Sequence, residues 1–320
     1  LAVALLASAR TRALLSWSIA ALALAGSAVR AQEITRDPTE RRGEIDITYQ
    51  YSKESNLETD NIGTIPTNVV TTQSLDFYVR YAVKERWTIE GGLPLISRKW
   101  HGDGMLPEDP LGYVHNPNNL IPPHPEDHFT DNGQWQTYFQ DWRMAGRYLL
   151  FRDPVIIEPY LMIGFPSTDY PILGSAAPGE HVKRTEIGST IAYRPPFLNW
   201  YFSTEIGKQY VEKTLDVNKD ATRVDAEIVY FASPKIAVKL FASSKNGHGI
   251  LPSPPPPNLA SPYWYHHDQL IRHNYINAGL GTDWTLSDRN KVNFSWIQMV
   301  HAEDIFHLHG ALSVTLQRGF

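Results

Sequence analysis

The 320-residue chain contains no cysteine. No disulfide framework can hold it together, which fits an exported protein stabilised by other means. It has no basic patch either: 29 Lys and Arg stand against 34 Asp and Glu, for a formal net charge of −5, and nucleic acid is not an expected partner. Beyond residue 31 no apolar run reaches the roughly 20 residues that a spanning helix requires. Neither a helical domain nor a second domain is legible. The mean hydropathy is negative, −0.32, which by itself argues for a water-soluble chain. A strand that is apolar only at every second position evades that measure, however.

What is present begins with a segment unlike the rest. Arg10 and Arg12 precede an apolar run from Ala13 to Ala25, followed by Val29-Arg30-Ala31 and then Gln32. A basic start, a short apolar core and small residues at −3 and −1 predict a cleavable export signal over 1–31. The apolar core is too short for a membrane anchor. Three of the 29 basic residues and none of the 34 acidic ones fall in this segment, so the remainder, 32–320, carries 26 against 34, a net −8.

After a polar lead-in, strict alternation sets in. In Glu44-Ile45-Asp46-Ile47-Thr48-Tyr49-Gln50-Tyr51 apolar and polar residues swap at each step, the period of a strand with one greasy and one wet face. Leu75, Phe77, Val79, Tyr81 and Val83 repeat the pattern, as do Trp87, Ile89, Gly91, Leu93 and Leu95. The pattern predicts strands at about 43–52, 71–83, 87–97, 136–150, 155–166, 184–193, 199–209, 222–231, 235–244, 273–284, 291–301 and 307–320. Alternate connections are short and turn-rich, such as Lys84-Glu85-Arg86 and Arg152-Asp153-Pro154. Most of the others are long: 53–70, 98–135, 167–183, 210–221 and 245–272. Short turns at one rim and long loops at the other predict an all-β, transmembrane, antiparallel up-and-down barrel of about twelve strands in the outer membrane of a Gram-negative bacterium, with the turns in the periplasm.

Alternation does not say which face is inside; three features do. Aromatics on the apolar faces cluster beside the short turns: Tyr81, Trp87, Tyr148, Tyr193, Trp200, Tyr230 and Trp284. Rings at one rim are expected where side chains meet lipid headgroups. The opposite faces carry Asp76, Arg80, Glu90, Arg143, Arg147, Glu158, Glu205, Arg223, Asp225, Glu227 and Lys239. Against lipid at mid-depth such charges would cost about 2–4 kcal/mol each for the basic ones, so these eleven are expected to line the lumen. Finally, the last strand alternates through Leu312, Val314 and Leu316 to Phe320. That ending resembles the signal read by barrel-assembly machinery, which with the lipid bilayer makes the expected partners. Arg318 departs from the apolar residue usual at its place.

Motifs for chemistry are absent. Phospholipase barrels of twelve strands place a His two residues before the nucleophilic Ser, side by side on one strand face. In Ser243-Ser244-Lys245-Asn246-Gly247-His248 the His follows instead. His307 and His309 share a face, His266-His267 adjoin Asp268, and His115, His124 and His128 share one long loop, but no tight metal-ligand spacing results. No catalytic residue, metal or cofactor is expected.

Several segments set the rhythm of a known family: Tyr81-Ala82-Val83-Lys84-Glu85-Arg86-Trp87, Gly92-Leu93-Pro94-Leu95, Asp141-Trp142-Arg143-Met144-Ala145-Gly146-Arg147-Tyr148 and Gly164-Phe165-Pro166-Ser167-Thr168. In these the chain resembles the outer-membrane family named after the meta-pathway of phenol degradation, regarded as transporters of hydrophobic compounds. Where that family tends to show Gly-Asp before the fourth strand and Pro-Thr-Gly after the fifth, this chain has Gln140-Asp141 and Pro166-Ser167-Thr168-Asp169. The resemblance implies a barrel and a hydrophobic or aromatic solute.

The expected function is therefore an outer-membrane channel or facilitated transporter for small molecules. The alternative is a structural or surface-interaction barrel; an enzyme ranks last. A continuous wet path would favour the first and a plugged lumen the second. The loop 98–135, with Asp103, Glu108, Asp109, Glu126, Asp127 and Asp131 against Arg98 and Lys99, is the expected constriction and would favour cations.

Overall fold

A computed structural model describes residues 43–59, 63–65, 68–101, 130–172, 174–248, 267–270 and 273–320. The expected export signal and most of the loop 98–135 lie outside the described residues. The chain forms β1 (Gly43–Thr59), β2 (Gly63–Ile65), β3 (Val69–Lys84), β4 (Trp87–His101), β5 (Trp135–Phe139), β6 (Trp142–Tyr148), β7 (Val155–Phe165), β8 (Arg184–Tyr193), β9 (Trp200–Val211), β10 (Ala221–Ser233), β11 (Ile236–Gly247), β12 (Asn274–Thr285), β13 (Asn290–Glu303) and β14 (Ile305–Gly319). One short helix, α1 (His267–Leu270), precedes β12.

Twelve strands make a closed antiparallel barrel, each bonded to its neighbours in chain order. Two short strands are additions: β2 folds back on the end of β1, and β5 prolongs the line of β6 along β4. Closure comes from β14, which pairs with β1 from Glu44↔Gly319 to Glu58↔Ile305. Backbone hydrogen bonds between Gly43 and Phe320, at 2.9 and 3.1 Å, complete the seam. The Phe320 ring lies over Gly43, where a Cβ would meet it at 2.3 Å, so any other residue there would have to displace the ring.

The expected single strand over 136–150 is interrupted. β5 pairs with Leu95–Lys99 of β4 and β6 with Trp87–Gly92, with the register slipping by one residue at Gln140 and Asp141. Pro94 of β4 faces this gap; it has no N–H to donate, and only its carbonyl is used, by the Gln140 amide at 2.9 Å. β1 also runs past its expected end, to Thr59 rather than residue 52.

The two faces differ in the way that the alternation implies. One outward row crosses the seam as Leu316, Ile47, Phe77 and Leu93. Val79, one pleat along, is 43% exposed. An inward row three residues along from the outward one is Glu44, Arg80 and Glu90. Large apolar side chains are thus the exposed ones while carboxylates are buried, the reverse of a water-soluble barrel. Among the aromatics beside the short turns, Trp87 packs on Tyr148 and Trp200 on Tyr230, both with ring centroids 4.9 Å apart. No helix among the described residues is long and apolar enough to cross a membrane.

Candidate lumen and mouth cavity

All eleven charged residues singled out in the sequence lie on the inward face, and most are tied into one network. Arg147, only 1% exposed, is its centre. Its guanidinium meets Glu90 at 3.0 Å, Glu205 at 2.9 Å and Glu158 at 3.7 Å, and donates to Thr190 at 2.9 Å. Its charge also sits 4.5 Å from the Tyr160 ring centre. Arg80 pairs with Glu90 at 2.7 Å and Arg143 with Asp76. Arg223 joins Glu205 at 2.5 Å, Glu186 at 3.0 Å and Asp225 at 3.2 Å. Lys239 meets a different acid, Asp283, at 3.0 Å. Both carboxylate oxygens of Glu227 are buried without a hydrogen bond among the described residues.

Two glycines make room for a crossing between these groups. A Cβ at Gly188 or Gly207 would lie 2.6 Å from the Tyr160 hydroxyl, so the phenol can pass over both strands to donate to Glu186 at 2.5 Å. Four inward acids were not singled out in the sequence: Glu44, Asp46, Glu186 and Asp283. Each has the same parity as its chosen neighbours, and continuing the alternation along each strand would have found them. Ten described carboxylates away from the mouth (Glu44, Asp46, Asp76, Glu90, Glu158, Glu186, Glu205, Asp225, Glu227, Asp283) therefore outnumber the described cations beside them: Arg80, Arg143, Arg147, Arg223, Lys239 and Lys291, the last in register with inward Gln317. Toward the short-turn rim the inward face turns apolar, with Ile156, Ala192, Tyr201, Val229 and Ala237 packed together.

At the long-loop mouth the chain between β7 and β8 folds inward. Arg98 donates to the Ala177 carbonyl at 2.9 Å and Gln140 to that of Pro178 at 2.7 Å. Asp131 accepts from the Ser175 and Ala176 amides at 2.9 and 2.8 Å. Gln269 of α1 reaches the Glu180 carbonyl at 2.6 Å. The Glu180 side chain is gripped by Lys219 at 3.1 Å, Arg184 at 3.7 Å and His273 at 2.8 Å. Burial alone would raise the Glu180 carboxyl, but Lys219 and the His273 hydrogen bond outweigh it and hold the group well below the usual 4.5. Burial pushes the His273 imidazole below its ordinary 6.5 despite Glu180 beside it.

The infolded segment described here is thus 174–183, whereas 98–135 was the expected constriction. Of that loop's six acids, Asp131 is a buried cap for two amides rather than a solvated charge. The other five lie outside the described residues. Little local signal marks the Glu180 knot: Arg184 lies four residues on, but Lys219 and the pair Gln269 and His273 come from two distant stretches of chain.

Between the infolded segment and the wall is a cavity of about 360 Å³. Leu57, Ile96, Tyr275, Met299, Ile305 and Phe306 give it an apolar side; Glu54, Arg98, Glu180, Arg184, Lys245 and His273 give it a charged one. A second inward apolar cluster, Phe241, Ile297, Met299, Leu308 and Ala311, adjoins it through Met299.

The remaining sequence candidates are placed as follows. His248 bonds Thr222 at 2.8 Å, and Ser244 bonds the Val224 carbonyl at 3.5 Å, so Ser243 to His248 are engaged separately. His309 bonds Ser55, and His307 stands 3.8 Å from Glu58. Among the described residues no group of three or more potential ligands could hold a metal. His115, His124, His128, His266 and the side chains of His267 and Asp268 lie outside them.

No protein-family model matches the chain, and no curated protein is similar to it in sequence. Its fold is shared by solved structures. An outer-membrane channel from Pseudomonas putida F1 aligns with a TM-score of 0.63 at 12% identity, over 88% of this chain and 96% of that one. The NanC porin aligns over 86% and 100% of the two chains at 7% identity and a TM-score of 0.48. The P. putida toluene transporter TodX aligns over 87% and 90% at 9% identity and a TM-score of 0.45. At such identities the likeness concerns the fold, and the fold is that of an outer-membrane β-barrel.

Proposed function

We propose that this protein is an outer-membrane channel for small molecules, with its apolar face in lipid and its charged face around the path. The observation that carries this reading is the inversion itself. A closed barrel with exposed isoleucine, valine and tryptophan outside and hydrogen-bonded carboxylates inside is stable only in a bilayer. A lumen lined in this way, opening into a mouth cavity, suits the passage of solute. The apolar side of that cavity is compatible with hydrophobic or aromatic compounds, the substrate class implied by the family resemblance.

A second reading has its own support. Arg147 and Glu186 are 1% and 0% exposed, so the waist is packed by its own side chains. A barrel fixed in that state would serve as a scaffold or surface-binding protein. Single-channel recording of the refolded chain 32–320 in planar bilayers separates the two. Discrete conductance steps that respond to salt support the channel; silence from protein shown to be folded and inserted supports the scaffold.

A further inference from the structure

The charges at the long-loop mouth can be paired off one at a time. Arg98 is held by Glu54 at 2.6 Å. Arg184 is held by Asp141 at 3.1 Å, and Lys219 by Glu180 at 3.1 Å. Among the described cations that line the cavity, Lys245 is held least closely. It makes no hydrogen bond or contact ion pair among the described residues; its attraction to Glu180 and Glu186 acts at longer range. Its place in the sheet explains why. Across one side it is in register with Arg223, which is already taken by three carboxylates; across the other it is in register with Tyr275. Glu180, which attracts Lys245 at longer range, makes its contacts with Lys219, Arg184 and His273 instead.

An ammonium with no contact counter-charge among the described residues, in a partly enclosed, partly apolar space, is stabilised further by an anion that brings one. The same cavity has a hydrocarbon lining: Leu57, Ile96, Met299, Ile305 and Phe306. Inorganic phosphate or chloride would leave that wall unused, and a dianion would find only one unclaimed cation. The volume, about 360 Å³, lies at the small end of the roughly 300–1,000 Å³ range of ligand pockets. We infer that the mouth cavity binds an amphipathic organic monoanion, a carboxylate on an aromatic or short aliphatic body, with Lys245 as its counter-ion and the apolar wall receiving the body.

The lumen below gives this site a direction. The excess of carboxylates over cations there repels an acid that has docked, so the ligand stops at the mouth and obstructs what passes through. Binding itself does not depend on the channel reading; only the obstruction does.

Benzoate is a suitable probe, titrated calorimetrically into the refolded chain in nanodiscs, with benzamide and acetate as controls. Saturable benzoate binding should be at least about tenfold tighter than that of benzamide, the value of one charge-assisted contact. Acetate, which lacks the body, should bind more weakly than benzoate. Lys245→Met and Lys245→Gln should each abolish the preference for benzoate over benzamide, and Lys245→Arg should retain it. Circular dichroism and resistance to SDS show which variants are folded. Equal binding of benzoate and benzamide, or an unchanged preference in a folded Lys245→Met or Lys245→Gln protein, overturns the inference. In bilayers, benzoate added on the long-loop side should lower conductance. Benzoate binding to a protein that does not conduct supports the site while counting against the channel.

Discussion

Replacing Arg147 by Met tests whether the waist network is packed or merely wet. The side chain is 1% exposed and faces Glu90, Glu158 and Glu205, two of them at 3.0 Å or less. Methionine keeps much of the volume but removes the charge and the donor to Thr190. Arg80 still compensates Glu90, and Arg223 still compensates Glu205, both at contact distance. Glu158 loses its 3.7 Å contact with Arg147 and keeps only the longer-range attraction of Arg80. Breaking a buried pair by removing one partner costs about 3–5 kcal/mol, most of it the burden of the uncompensated charge. Urea titration of the refolded barrel in lipid, followed by tryptophan fluorescence, should show a loss in that range. The Arg147→Met, Glu158→Gln double variant should recover part of it, because the carboxylate left without a contact partner goes too. A loss under about 1 kcal/mol, the size of an exposed ion pair, would mean that water reaches these groups and the waist is open. The packed account of the lumen would then be wrong.

Other outcomes follow from the same geometry. Val79→Arg, on the outward face, should destabilise the barrel by about 2–4 kcal/mol if it lies near mid-bilayer, whereas Thr48→Ser on the inward face should cost well under half of that; the opposite ranking in refolding titrations would mean that the apolar face is not the lipid face. Salt-gradient reversal potentials should show cation preference, set by the carboxylate excess in the lumen and fading as ionic strength rises; Asp76→Asn with Glu227→Gln should weaken it, and anion preference would refute it. Glu180 has a depressed carboxyl, so its anchoring is fully present above the unfolded value of about 4.5 and is lost as pH falls through the folded one. His273, held neutral below 6.5, opposes protonation and acts in the same direction. Amide exchange at His181 to Lys183, corrected for intrinsic rates, should therefore quicken in acid, and Glu180→Gln should quicken it at neutral pH; no change in either would detach the infolded segment from this knot. Asp131→Asn, finally, should cost about 1–3 kcal/mol, as for a buried cap, where a solvated loop acid would show almost nothing.

The barrel was legible because its code is binary and local. Ile45 and Ile47 against Glu44 and Asp46 state both the strand and its faces, and the seven rim aromatics mark which end is which. The break at Gln140 and Asp141 was less visible, since Pro94 lies about 45 residues upstream and acts only once β4 is its neighbour. The lumen charges could be chosen by parity, but not their pairing: Arg147 and Glu205 meet across the interior from strands three apart in the sheet. The mouth was least legible. Glu180, Lys219, Lys245 and His273 lie on different connections and strand ends, and nothing in the spacing of one announces another. The loop 98–135 drew attention by length and charge, neither of which says where a backbone will fold.

The seam between β1 and β14 also bears on how such a chain can assemble. Its paired residues, Glu44 and Gly319 at one end, are among the most distant in sequence of any contact in the molecule. Local hairpins can form early, since each strand elsewhere pairs with its chain neighbour, but closing this loop carries the largest entropic penalty. Until it closes, both outer strands present unsatisfied N–H and C=O groups along their length, which hydrocarbon does not tolerate and which invite pairing with another chain. Insertion and closure are therefore coupled. An open intermediate must be shielded at both edges, and mutations that weaken the seam, at Gly43 for example, should surface first as aggregation during assembly rather than as instability of the finished barrel.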